Sequence, residues 1–341
     1  MRGESTHVTL SAAGGAAADG SVASMTRKII LDCDPGHDDA VALLLAHANP
    51  EIELLAVTTV GGNQTLDKVT RNALGVLTLL GATDVPVSAG CTRPLLREVV
   101  VAADIHGESG LDGVDLPDPG SPGHVALDGR HAVDAIIETV MAHEPGEVTL
   151  VPTGPLTNIA LALRKEPRIV ERVREVVLMG GGYHAGNASP VAEFNVIVDP
   201  EAASIVIGAG WPVVMVGLDL THQALATADV AERVAAIDSA PARFVGQLIE
   251  AFGRAYLEVA GFDAPPVHDP CTLAYLIDPS LVRVRRAPIT VELRGEFTTG
   301  MTVVDLRGDE PQECPTAVAT TLDVDGFWDL VIDAVERVGR S

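Results

Sequence analysis

Ile29-Ile30-Leu31-Asp32-Cys33-Asp34-Pro35-Gly36-His37-Asp38-Asp39 carries four carboxylates within eight residues at the end of an apolar run. β-Branched residues and leucine lead into the acids as a strand, Pro35-Gly36 makes a turn, and Ala40-Val41-Ala42-Leu43-Leu44-Leu45-Ala46 continues as a helix. The acids therefore sit at a strand-to-helix junction. Asp38 and Asp39 fall in the first helical turn, where the positive end of the helix dipole offsets part of their charge. Capping by Asp explains one or two of the acids, but not all of them.

No basic side chain stands nearby, since the next Lys or Arg after Lys28 is Lys68. Two carboxylates ~5 Å apart at an effective dielectric of ~20 repel by roughly 3 kcal/mol. Such a cluster calls for an external cation. Its donors are oxygens and no Cys/His pair has zinc spacing, so Ca²⁺ or Mg²⁺ is expected before Zn²⁺. An EF-hand loop does not fit, because Leu43 falls where the bidentate Glu belongs. The reading is a metal-dependent enzyme.

The bulk composition narrows the class. The chain has 341 residues, of which 47% are hydrophobic, enough for one large core. Its 23 basic and 47 acidic residues give a formal charge of −24, which argues against nucleic acid and anionic membrane surfaces as partners and disfavours phosphorylated substrates. Cys33, Cys91, Cys271 and Cys314 are widely spaced and make no disulfide framework, which fits a reducing cytoplasm. Cys33 lies between two aspartates whose charge raises a thiol pKa, so it reads as buried filler rather than a nucleophile. Residues 1–24 are rich in Ala, Gly and Ser and lack an apolar core of signal-peptide length. They read as a flexible tail ahead of a single domain over residues 25–341, with Met25 a candidate start. The longest apolar stretch, Ala202 to Leu218, is broken by Gly208, Gly210 and Pro212, so no membrane span is expected.

Further along, Ile52–Thr59, Glu147–Val151, Glu175–Met179 and Val213–Gly217 read as strands. Leu66–Leu80, Ala132–Ala142, Leu156–Lys165 and Pro200–Gly208 read as helices between them. This alternation predicts an α/β fold with an open, mostly parallel, Rossmann-like sheet flanked by helices. Ligands of such sheets bind beyond the carboxyl ends of the strands, which is where Asp34, Gly61-Gly62-Asn63, Thr153 and Gly180-Gly181-Gly182 fall. Pro288–Leu293 and Gly300–Leu306 read as a small antiparallel addition, followed by a helix over Phe327–Val338. The polar stretches Arg93–Asp128 and Ala255–Val267 read as mobile loops over the site.

Asp269, in Val267-His268-Asp269-Pro270, is a further candidate ligand, although Asp before Pro at a helix start is also an ordinary cap. The adjoining His268 would lie beside a metal ligand with a pKa suited to proton transfer. The loop from Gly180 to Asn195 holds Asn187, Glu193 and Asn195. Without a P-loop Lys or Rossmann spacing it is a weak phosphate cradle, and its amides and carboxylate suit the neutral hydroxyls of a sugar.

Taken together, Asp32-Cys33-Asp34-Pro35-Gly36-His37-Asp38-Asp39, Val60-Gly61-Gly62-Asn63-Gln64, Ile105-His106-Gly107, Pro152-Thr153-Gly154-Pro155-Leu156-Thr157-Asn158, Glu193-Phe194-Asn195 and His268-Asp269-Pro270 resemble, in order, the nucleoside hydrolase family of inosine-uridine preferring ribohydrolases. The resemblance runs from about Lys28 to the C-terminal helix. It implies one Ca²⁺ and hydrolysis of the N-glycosidic bond of ribonucleosides to ribose and free base, a salvage reaction on purine and pyrimidine nucleosides. By position it implies that Asp34, Asp39, Asp269 and the Thr153 carbonyl hold Ca²⁺, and that Asp34 acts as base on a water at the metal. Asp38, Asn63, Asn187, Glu193 and Asn195 would bind ribose hydroxyls. His106 and His268 would surround the base, with His268 as its proton donor and Phe194 and Tyr256 as apolar walls. His37 reads as a helix-start residue rather than a ligand. Purine-only subfamilies resemble one another in a Trp-lined base pocket; Trp211 and Trp328 lie outside the pocket motifs, which implies a broad or pyrimidine-tolerant specificity. The resemblance also implies a homo-oligomer, tetramer or dimer.

Two other classes compete. Asp32-Cys33-Asp34 also matches the Asp-x-Asp of haloacid dehalogenase-like Mg²⁺ phosphatases, although the Lys and hydroxyl those enzymes need for phosphate have no recognisable counterparts. A non-catalytic nucleoside- or Ca²⁺-binding protein is the other alternative.

Overall fold

The computed structural model describes residues 26–118, 121 and 123–340; the expected tail over residues 1–24 lies outside them. Among the described residues ten strands form: β1 Arg27–Cys33, β2 Ile52–Thr59, β3 Val87–Ala89, β4 Val148–Pro152, β5 Glu175–Met179, β6 Val213–Val216, β7 Val282–Arg286, β8 Ile289–Val291, β9 Thr302–Val304 and β10 Thr316–Leu322. Eight of them make one sheet in the order β3-β2-β1-β4-β5-β6-β10-β7, parallel throughout except for the edge strand β7, which runs antiparallel to β10. β8 and β9 pair as a separate antiparallel ribbon, with Thr290 opposite Val303.

β1 is central because it is apolar on both faces. Ile29, Leu31 and Cys33 pack into one core and Ile30 into the other, following the two-residue period of a strand covered by helices on both sides. Trp211 and Trp328 are both buried in these cores. The chain moves outward from β1 to β2 and β3, then returns to β4 on the other side. The strand order thus reverses between β1 and β4, and the crevice at their carboxyl ends is the expected place for a ligand. The Thr153 N–H donates to the Asp32 carbonyl at 2.8 Å and ties the two strand ends together.

The two stretches read as mobile loops need correction. Arg93–Asp128 contains the helical turn Ala103–His106. Ala255–Ala260 is the end of a 21-residue helix, Ala240–Ala260, that opens with the Ser239 hydroxyl capping the Ala242 N–H and closes at Gly261 in the left-handed region, φ 70°. Its buried stripe of Phe244, Val245, Leu248, Ile249, Phe252 and Tyr256 has helical spacing. Among the described residues no helix is long and apolar enough to cross a membrane.

Truncating Ile30, fully buried in β1, to Ala should cost about 2–5 kcal/mol in denaturant unfolding; a loss below about 1 kcal/mol would contradict its place at the centre of the core.

Candidate active site

Asp34 is the first residue beyond β1, and its carboxylate is held between two glycines. A Cβ on Gly62 would lie 2.1 Å from Asp34 Oδ2, and one on Gly154 would lie 2.5 Å from Oδ1. Those two residues, on the turns after β2 and β4, must lack side chains for the acid to sit there. Oδ2 accepts the Asn63 N–H at 2.6 Å, while Oδ1 is buried and has no partner among the described residues. An unpaired carboxylate oxygen out of water is costly unless something positive meets it.

Asp39 lies one helical turn into His37–Ala48. Its Oδ2 accepts the Gly36 N–H at 3.0 Å, and its Oδ1 accepts from the Thr153 hydroxyl at 2.9 Å. Asp39 therefore does cap its helix, while facing β4 as well. Asp269 precedes the helix Pro270–Ile277 but makes no side-chain cap bond, so the capping explanation fails for it. Carboxylate oxygens of Asp38, Asp39 and Asp269 lie within 4.8 Å of one another, all three residues buried. Among the described residues no Lys or Arg pairs with these acids. Burial raises the Asp38 pKa to about 7, helped by the charge of Asp39; Asp34 and Asp269 are raised well above the ordinary range for the same reason, and Asp39 is raised chiefly by burial. An oxygen-only donor set with an orphaned buried oxygen and no internal cation fits a hard divalent ion.

Asp32 has a different role. Its side chain faces the sheet interior, where Oδ1 accepts from Thr58 Oγ1 at 2.6 Å and Asn158 Nδ2 at 2.8 Å. It does not line the cavity described next.

The acids open into a cavity of about 540 Å³. Asp38, Asn63, Thr153, Glu193, Asn195 and Asp269 line it from the strand ends and the adjoining turns. The other wall comes from His106, Phe252, Tyr256, Phe262 and His268, with Phe194 and Asn187 at the Gly180–Asn195 loop. The site residues expected from the sequence thus meet in one cavity, apart from Asp34 and Asp39, which support it from beneath.

Several of these side chains are already committed. Glu193 caps the short helix Phe194–Val198, accepting the N–H groups of Asn195 and Val196 and that of Gly181, and burial raises its pKa to about 7. Asn195 Nδ2 donates to the Thr153 carbonyl at 2.7 Å, which leaves Oδ1 for other contacts. Asn63 Nδ2 donates to Asp39 Oδ2 at 3.3 Å, and Asn187 Oδ1 accepts the Phe194 N–H at 3.0 Å. Tyr256 is more than an apolar wall, because its hydroxyl lies 2.7 Å from His268 Nε2 while Thr221 Oγ1 lies 2.7 Å from His268 Nδ1. Burial, assisted by His222, lowers the His268 pKa to about 3, so the ring is neutral within this chain of hydroxyls. Thr221 was missed from sequence because nothing local marks it; only the fold brings it to a residue 47 positions away. His37 was read as a helix-start residue and is one, but it also touches His106.

The fold is shared with solved structures, and the sequence with curated relatives. A family model described as inosine-uridine preferring nucleoside hydrolase matches residues 29–329. The chain belongs to that family of metal-dependent hydrolases acting on ribonucleosides. It is 58% identical over 315 residues to an inosine-uridine preferring nucleoside hydrolase of Crithidia fasciculata, covering 92% of this chain and 99% of the relative. It is 46% identical over 317 residues to a pyrimidine-specific ribonucleoside hydrolase, RihA, of Shewanella woodyi, covering 93% of this chain and 100% of that one. The solved structure of a purine-preferring ribonucleoside hydrolase from Gardnerella vaginalis superposes with a TM-score of 0.84 at 33% identity, covering 92% of this chain and 99% of that one.

The raised acids set a pH dependence. With Asp38 and Glu193 at about 7, the cation-free folded state holds protons that the unfolded chain has released above its ordinary carboxylate range. Stability is then fully present at low pH and is lost as pH rises toward about 7. Melting temperatures of chelator-treated protein should fall between about pH 4 and pH 7, and a divalent cation should lessen that fall by holding the clustered aspartates ionised. A flat curve with chelator would contradict this account.

Proposed function

We propose that this nucleoside hydrolase uses Ca²⁺, held by Asp34, Asp39, Asp269 and the Thr153 carbonyl, to hydrolyse the C1′–N bond of both purine and pyrimidine ribonucleosides. The observation that carries the reading is the two-sided cavity, with buried, uncompensated carboxylates at the strand ends and a hydrogen-bonded His-Tyr pair among aromatic rings opposite. When bound, the cation supplies a water of lowered pKa and a grip on vicinal hydroxyls.

The chain's own groups do the rest. Asp34 Oδ1, free of hydrogen bonds, is available as the proton acceptor for the attacking water. Asp38, Asn63, Asn187, Glu193 and Asn195 orient the ribose. Cleavage builds positive charge on the ring, as in other glycosyl transfers, and the surrounding carboxylates stabilise it. The departing base gains electron density and needs a proton. His268 is proposed as its source, delivered through the Tyr256 hydroxyl: once the ring has taken up a proton from solvent, Nδ1–H donates to Thr221 Oγ1, Nε2–H passes to the phenol oxygen as the phenol O–H passes to the base, and the imidazolium is left as the neutral ring. Burial raises the Tyr256 pKa well above its ordinary value, which keeps that proton in place until the base calls for it.

Base preference is read as broad or pyrimidine-tolerant. The relatives named above carry three different preferences on one fold, and neither Trp211 nor Trp328 lines the cavity. The working unit is proposed to be a cytoplasmic homo-oligomer, dimer or tetramer, serving nucleoside salvage.

Reducing-sugar release from a panel of ribonucleosides tests the core of the proposal. Ribose should appear from both purine and pyrimidine nucleosides, vanish with a calcium chelator and return with Ca²⁺. Asp34→Asn should lower kcat by roughly 10²- to 10⁴-fold. Deoxyuridine should be a far poorer substrate than uridine, and comparable rates on the two would show that the 2′-hydroxyl is not held. Tyr256→Phe keeps the ring and removes the hydroxyl, so kcat should drop by roughly 10²-fold with little change in KM; an unchanged kcat would remove Tyr256 from the proton path.

A further inference from the structure

His37 is a buried imidazole beside the cavity that the proposed mechanism leaves unused. Its ring stacks with those of His106 and Phe252, with centroids 5.5 and 5.2 Å away. Its Nε2 lies 3.1 Å from the Asp112 carbonyl, its Nδ1 lies 3.3 Å from His106 Nδ1, and its main-chain N–H is directed at that same His106 Nδ1 at 3.4 Å. The contact is built in: a Cβ on Gly36 would lie 2.4 Å from His106 Nδ1, so only glycine admits the ring there.

The hydrogen-bond arithmetic is restrictive. A carbonyl oxygen only accepts, so His37 Nε2 carries the proton, and the neutral ring presents a bare Nδ1. His106 Nδ1 then faces two opposite partners at nearly equal distance, an acceptor (His37 Nδ1) and a donor (the His37 N–H). With a proton on His106 Nδ1 the first contact is satisfied and Nε2 is a bare acceptor. With Nδ1 bare the second contact is satisfied and Nε2–H is a donor. His106 lines the cavity, and with Nδ1 turned to His37 its Nε2 is the nitrogen left for a ligand.

We propose that His37 is a positioning residue that keeps both tautomers of His106 accessible, so that His106 offers Nε2 as a donor to bases bearing a carbonyl and as an acceptor to bases bearing an amino group. Uracil and hypoxanthine present the carbonyl, and cytosine and adenine the amine, at corresponding edges. This device deepens the proposed breadth of base specificity and rests on that reading. It lets His106 Nε2 pair with both base types, where an unpaired buried polar group would be the usual source of strong discrimination.

The test compares kcat/KM for uridine with cytidine and for inosine with adenosine. His37→Leu removes the ring acceptor and keeps the main-chain donor, which fixes His106 with Nε2–H. The cytidine-to-uridine and adenosine-to-inosine ratios should each fall about tenfold. His37→Asn, which restores an acceptor near the Nδ1 position, should recover them. In ¹⁵N spectra the His106 ring should show a single Nε2–H tautomer in His37→Leu and a mixture in the parent enzyme, a readout that needs no turnover. All four substrates losing activity in parallel in both variants, or a His106 tautomer that does not move, would reduce His37 to a structural residue and overturn the inference. Parent enzyme that releases ribose from none of the four would instead overturn the proposed function.

Discussion

Negative charge buried without a partner is the constraint on which the site depends. Asp34, Asp38, Asp39 and Asp269 are out of water, and what they receive is N–H and O–H hydrogen bonds, not cationic side chains. Breaking or burying charge in this way costs several kcal/mol per group unless an ion offsets it. The surrounding backbone is arranged around that cost. Glycines at 62 and 154 give the Asp34 carboxylate its slot, and the Thr153 hydroxyl and the Gly36 N–H hold Asp39. Each of these groups lies on a turn at the carboxyl end of a parallel strand, so the sheet's strand order determines where the charge collects.

The opposite wall is built differently. Tyr256 and Phe252 project from one long helix, His106 from a single helical turn and His268 from the turn before Pro270. Rings and hydroxyls make the contacts there, with lengths of 2.7 Å at His268 and looser stacking at His37 and His106. In the function proposed above, the acidic floor serves the ribose, which is constant, and the aromatic wall serves the base, which varies.

How far this could be read from sequence depends on the range of the signal. The Asp32–Asp39 run, the alternation of strands and helices, and the β8–β9 ribbon are local patterns and stood out at once. The helix Ala240–Ala260 was passed over although Ser239, Pro241 and Gly261 punctuate it, because Gly246 and Gly253 interrupt its stripe. β7 escapes a sequence reading because Arg283, Arg285 and Arg286 make it look like surface loop, and β10 because its three threonines and two alanines leave only Val318 and Leu322 as large apolar residues. Among site residues, the acids and His268 announced themselves by chemistry. The hydroxyl of Tyr256, the partner role of Thr221 and the contact of His37 with His106 are products of tertiary placement, and no spacing in the chain encodes them.

The order in which the chain emerges gives the topology a further consequence. β10, residues 316–322, inserts between β6 and β7, and Asp269 arrives with the helix that precedes β7. The first three acids are made within the opening strand and helix, yet the fourth stands more than two hundred residues later. During synthesis the early half can form its parallel strands with Asp34, Asp38 and Asp39 still open to water on one side, where their mutual repulsion is screened. The carboxylates become an enclosed charge cluster only when nearly the whole chain is available to close over them, so enclosure of the cation's site and completion of the sheet are late and joint events.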